Sequence, residues 1–81
     1  MRDYQERIYE AIASRKTWGG SNVVVITEDN ITNVFYYGNK IARVDHTNKS
    51  ATFDNCGYRN ASTTARINAV KEFCNDYNYN Y

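Results

Sequence analysis

Apolar residues recur with helical spacing at both ends of this chain and with strand spacing between them. In residues 3–15, Tyr4, Ile8, Ala11, Ile12 and Arg15 fall at i, i+4, i+7, i+8 and i+11, one side of an amphipathic helix. Asp3 can cap its start, Glu6 and Glu10 suit its N-terminal half, and Arg15 and Lys16 suit its C-terminal end. Trp18, Gly19 and Gly20 end it, with Trp18 folding back on the core. Residues 22–27 carry Val23, Val24, Val25 and Ile26, a β-branched run bounded by turn residues and therefore a strand. Glu28, Asp29 and Asn30 turn the chain into a second strand, 31–37. Gly38 and Asn39 then form a two-residue hairpin signal, because both tolerate the positive φ that such turns require. That turn places Tyr37 opposite Lys40, Tyr36 opposite Ile41 and Phe35 opposite Ala42. Strand three is 40–45, and His46 to Lys49 turns into strand four, 50–54.

Beyond Phe53 the chain is polar through Asp54, Asn55, Gly57, Arg59 and Asn60, and Ser62 or Thr63 caps a last helix. Its apolar stripe is Ile67, Val70, Cys74 and Tyr77, widened by Ala69 and Phe73, while Arg66, Asn68, Glu72, Asn75 and Asp76 face water. The order α-β-β-β-β-α, with links too short for crossover helices, predicts an α+β fold. It is a four-stranded antiparallel meander with the N- and C-terminal helices packed on one face. Residues 1–77 make one domain, and 78–81 form an Asn/Tyr tail expected to fray.

Size and charge narrow the function. A chain of 81 residues is short for a deep interlobe cleft, so it acts through its surface, and homodimerisation would enlarge its core. A net charge of +1 with no run of like charge longer than two argues against a DNA mimic and against a dedicated duplex-DNA binder. Eleven Asn and eight Tyr with no Pro match either a recognition surface or an AT-rich coding bias. His46, Cys56 and Cys74 are too few and too scattered for zinc. Two cysteines without a CxxC pair read as free thiols, with a Cys56–Cys74 disulfide as the alternative. No cofactor is expected. The N-terminus lacks the apolar core of a signal peptide, and no run approaches the ~20 residues of a membrane span.

Two constellations could carry chemistry. Asn60, Ser62, Thr63 and Thr64 at a helix start, with Arg59 and Arg66, could hold an anion or phosphate, although ordinary capping explains the same hydroxyls. Phe35, Tyr36, Tyr37 and Tyr58 beside Lys40 and Arg43 could form a stacking or partner surface, although alternation sends Phe35 and Tyr37 to one sheet face and Tyr36 to the other. Catalysis has little support: Asp45 and His46 point apart, and Cys56 has no base in sight. The protein is expected not to be an enzyme.

Tyr37, Gly38, Asn39, Ile41 and Ala42, then Cys56, Gly57 and Tyr58, then Thr63, Thr64, Arg66, Ile67 and Asn68 resemble a pattern of small phage-encoded proteins. Ala65 stands where relatives often carry Lys. The resemblance implies a phage accessory protein acting in the bacterial cytoplasm, of the kind that inhibits host defences such as CRISPR–Cas by binding an effector protein. The alternative is a nucleotide or nucleic-acid binder that sequesters a signal nucleotide at the helix start over residues 59–66.

Overall fold

A computed structural model describes residues 3–57 and 60–81. Helix α1 (Asp3–Ser14) leads into five strands, β1 (Trp18–Gly20), β2 (Val23–Glu28), β3 (Ile31–Tyr36), β4 (Asn39–Asp45) and β5 (Ser50–Phe53), and the chain ends in helix α2 (Ala61–Asp76). All strands are antiparallel, in the order β1-β2-β3-β4-β5. The α+β meander stands, with one strand more than expected. Trp18, Gly19 and Gly20 read as a helix terminator but pair with Val25, Val24 and Val23. Two glycines hide the strand in the sequence. A Cβ at Gly20 would come within 2.9 Å of the Trp18 ring, so a larger residue there would have to displace that ring.

Three successive links are two-residue turns with both φ angles positive, as a type I′ hairpin demands: Ser21 and Asn22, Asp29 and Asn30, Tyr37 and Gly38. The third lies one residue earlier than expected, with Tyr37 rather than Asn39 in the loop. The predicted hairpin register is corrected accordingly: Tyr36 faces Asn39 and Phe35 faces Lys40. A bulge then inserts Ile41, so that Val34 faces Ala42. Consecutive Ile41 and Ala42 are thereby both buried.

One sheet face meets the helices. Val23, Val25, Val34, Tyr36, Ala42, Val44 and Ala51 join Ile8, Ala11 and Ile12 of α1 and Ile67, Ala69, Val70, Phe73 and Cys74 of α2 in a single core. The two helices also pack on each other, α1 over β1 and β2 and α2 over β4 and β5. Two expectations for α2 are corrected. Tyr77 is exposed, and Arg66, expected in water, is buried. The sequence stripe ends one turn early because α2 stops at Asp76 and the chain doubles back.

That reversal holds the terminal residues, expected to fray. Tyr79 N–H donates to the Cys74 carbonyl (2.8 Å), Asn80 N–H to Lys49 (2.8 Å), and Ala51 N–H to Asn80 (2.7 Å). Asn80 thereby bridges Ser50 in parallel, and Tyr79 enters the core. Its hydroxyl meets His46 Nδ1 at 2.7 Å, His46 Nε2 meets Thr32 Oγ1 at 2.7 Å, and Thr32 meets Thr27 Oγ1 at 2.6 Å. This polar chain lies beside Phe73 of α2 and satisfies its own groups.

Candidate functional site

The start of α2 is set by Asn60, not by Ser62 or Thr63. The Asn60 backbone is extended, its Oδ1 accepts from Thr63 N–H at 2.9 Å, and its carbonyl accepts from Thr64 N–H. An Asx cap followed by three hydroxyl residues leaves the helix free to present the latter. Ser62 and Thr64 are exposed, while Thr63 is buried and its Oγ1 has no hydrogen-bond partner.

The β3–β4 hairpin brings aromatic rings to this helix start. Tyr36, on the core face, and Tyr37, in the turn, lie with ring centroids 4.7 Å apart. Turn geometry overrides strand alternation here: Tyr37 leaves the strand and swings to the same side as Tyr36. Asn22 Nδ2 donates to its hydroxyl at 3.0 Å, and its own N–H donates to the Asn22 carbonyl at 2.9 Å. Tyr37 is 64% exposed. Tyr36, Tyr37, Asn60, Ser62 and Thr63 together line a concavity of about 190 Å³. Five of the predicted residues, from two distant stretches of sequence, therefore share one site. Tyr58 and Arg59 lie outside the described residues.

Arg66 lies one helical turn further on, behind this concavity. Its guanidinium carbon is 4.2 Å from the Tyr4 ring centroid and 4.3 Å from that of Tyr36, a sandwich of cation–π contacts. Nη1 donates to the Ser62 carbonyl at 2.9 Å, and Nε has no partner. Among the described residues no carboxylate lies within ion-pair distance of it. Arg66 thus adds a weakly compensated positive charge beside the positive end of the α2 dipole. Tyr4 and Gln5, which the sequence reading did not select, complete the wall on the other side. With Ala61, Ser62 and Ala65 they line a second concavity of about 270 Å³, and Gln5 Nε2 donates to the Ala65 carbonyl at 2.8 Å. Nothing in their helical spacing distinguished them from core residues.

The remaining reactive groups do not join this site. Both cysteines are free. Burial pushes the Cys74 thiol up to about 11, and Cys56 Sγ donates to the Lys40 carbonyl at 3.2 Å. Tyr9 donates to Asp76 Oδ2 at 2.6 Å, which raises its pKa to about 12. No helix among the described residues is long and apolar enough to cross a membrane, and these residues contain no metal-binding cluster of His, Cys, Asp or Glu.

Searches among curated proteins and among solved structures return no match. A family model described as Kyanoviridae Gp96 protein matches residues 1–81. The match extends over the sheet, both helices and the concavity at the α2 start. This small phage-encoded protein belongs to the Kyanoviridae Gp96 family.

Proposed function

We propose that the protein is a non-enzymatic phage accessory factor that binds and occludes an effector of a host defence system, such as CRISPR–Cas. The interface in this reading is the rim formed by Tyr37, Tyr36, Asn60 and Ser62. One observation carries it: an exposed tyrosine is held at a hairpin tip, in a backbone region costly for its type, beside a concavity built from a second, distant segment. Aromatic anchors set by a rigid scaffold beside a polar rim are the usual centre of a protein interface. The test is twofold. Bacteria carrying an active CRISPR–Cas system and expressing the protein are challenged with a targeted phage, and the tagged protein is used to isolate the effector complex. Restored plaque formation with co-purified effector subunits, both lost in Tyr37→Ala, supports the reading. Full immunity with no effector captured overturns it for that system.

A second reading rests on Arg66. A buried guanidinium lacking a described carboxylate, beside a helix N-terminus, favours an anionic group such as a nucleotide phosphate in the adjoining concavity. Calorimetry against a nucleotide panel separates the two. Binding that disappears in Ser62→Glu, a change that suits the first turn of a helix, favours nucleotide capture. No heat with any nucleotide removes it.

A further inference from the structure

The two concavities at the start of α2 share one wall. Ser62 lines both, with Tyr4 and Ala61 on one side of it and Tyr36, Tyr37 and Thr63 on the other. At about 270 Å³ and 190 Å³, each falls short of the ~300 Å³ at which small-molecule pockets begin, while the two together exceed it. The charge lies between them. The Arg66 guanidinium sits between the rings of Tyr4 and Tyr36 and donates to the Ser62 carbonyl. The first amides of α2, which have no intrahelical acceptor, lie at the same ridge. Two buried groups there lack partners. Thr63, 0% exposed, keeps Oγ1 unpaired in the wall of the Tyr36–Tyr37 concavity, and Arg66, 8% exposed, keeps Nε unpaired. Buried polar groups are normally satisfied, so both point to a missing partner.

We propose that the two concavities are the lobes of one site for a dinucleotide, with a base in each lobe and the linking phosphodiester over Ser62. This rests on the nucleotide reading above and adds the second base. The order of groups in the site dictates the order in the ligand. A tyrosine wall, then a guanidinium and a helix start, then a second tyrosine wall call for planar ring, anion, planar ring. Tyr4 gives one lobe a stacking surface for a base, and Tyr36 and Tyr37 give it to the other. Among the described residues Arg66 is held by ring contacts and a carbonyl rather than by a carboxylate, so its charge is left to act on the anion. A mononucleotide would fill one lobe and leave the other to water.

Calorimetry of the full chain with the common ribonucleoside monophosphates and with the matching homodinucleoside monophosphates tests this. The monoesters carry the greater negative charge at neutral pH, so a site that reads charge alone prefers them. A dinucleotide is instead expected to bind at least ~10-fold more tightly than its mononucleotide. Tyr4→Ala strips one lobe, and Ala61→Leu fills the same lobe from an exposed position. Both should bring the dinucleotide down to the affinity of the mononucleotide while leaving the latter within ~2-fold, which a misfolded variant would not do. Tyr37→Ala should weaken both ligands. Dinucleotides that bind no better than mononucleotides, or an advantage that survives both Tyr4→Ala and Ala61→Leu, overturn the two-lobed site while nucleotide capture stands. No heat with any of these ligands overturns nucleotide capture and the two-lobed site with it.

Discussion

Tyr37 occupies a position whose backbone asks for asparagine or glycine. Its φ of 51°, followed by 78° at Gly38, is the left-handed pair of a type I′ turn. Tyr37→Asn is therefore expected to stabilise the fold by ~0.5–1 kcal/mol in chemical denaturation, while weakening capture of the proposed partner. A destabilised variant would mean that the Tyr37–Asn22 and Tyr37–Tyr36 contacts outweigh the backbone cost. The asparagines fit the same logic. Asn22, Asn30 and Asn78 take positive φ, and Asn60 caps α2. Much of the unusual asparagine content is thus turn and cap chemistry, which leaves the tyrosines as the stronger sign of recognition. The cysteines differ in reactivity for a related local reason: Cys74 is sealed in the core, so a thiol reagent should label Cys56 in the native protein and both residues only after denaturation.

At the level of elements, the hydrophobic pattern located both helices and four strands because their buried residues keep a clean period. Ile8, Ala11 and Ile12 show it in α1, and Ile67, Val70 and Cys74 show it in α2. Strand β1 escaped because glycine carries no pattern and its one large side chain, Trp18, works as a lid over Gly20. The hairpin register escaped because Tyr37 looked like a strand residue and the bulge at Ile41 breaks alternation. The site was half legible. Hydroxyls near a helix start and paired tyrosines are visible in sequence, but their meeting depends on a hairpin folding over a helix. The burial of Arg66 depends on Tyr4, more than sixty positions away. Where the period was clean, the energetic expectation is firm. Val70 and Phe73 are 0% and 2% exposed at the centre of α2, so alanine at either should cost ~2–4 kcal/mol in denaturant titration. A loss under ~0.5 kcal/mol at both would show that α2 is not the main wall of the core.

For the whole molecule, the decisive polar feature is the chain from Thr27 through Thr32 and His46 to Tyr79, which joins the sheet to the returning C-terminus beside Phe73 of α2. Burial holds the His46 pKa below its ordinary 6.5, with the charge of Arg15 acting in the same direction and Asp45 opposing it. The sign follows from proton counting. As pH falls through 6.5 the unfolded chain takes up a proton that the native imidazole refuses, so the native state loses stability in that window. Stability from this group is full above ~pH 7.5, declines on acidification, and levels off below the native pKa. Asp45, whose pKa is lowered chiefly by the Asn48 N–H, acts in a separate window below 3.8. The measurement is the thermal midpoint between pH 7.5 and 5.0 for the wild type, His46→Gln and Tyr79→Phe. The wild type should fall across this range. His46→Gln should start lower, since its amide replaces the ring less well, but should lack the decline centred on the histidine window. Tyr79→Phe, which keeps the packing but strips one hydroxyl partner, should lose ~1–3 kcal/mol while keeping the decline. A wild type flat across this range, or a His46→Gln curve parallel to it, would show that the buried imidazole does not set the acid sensitivity of the fold.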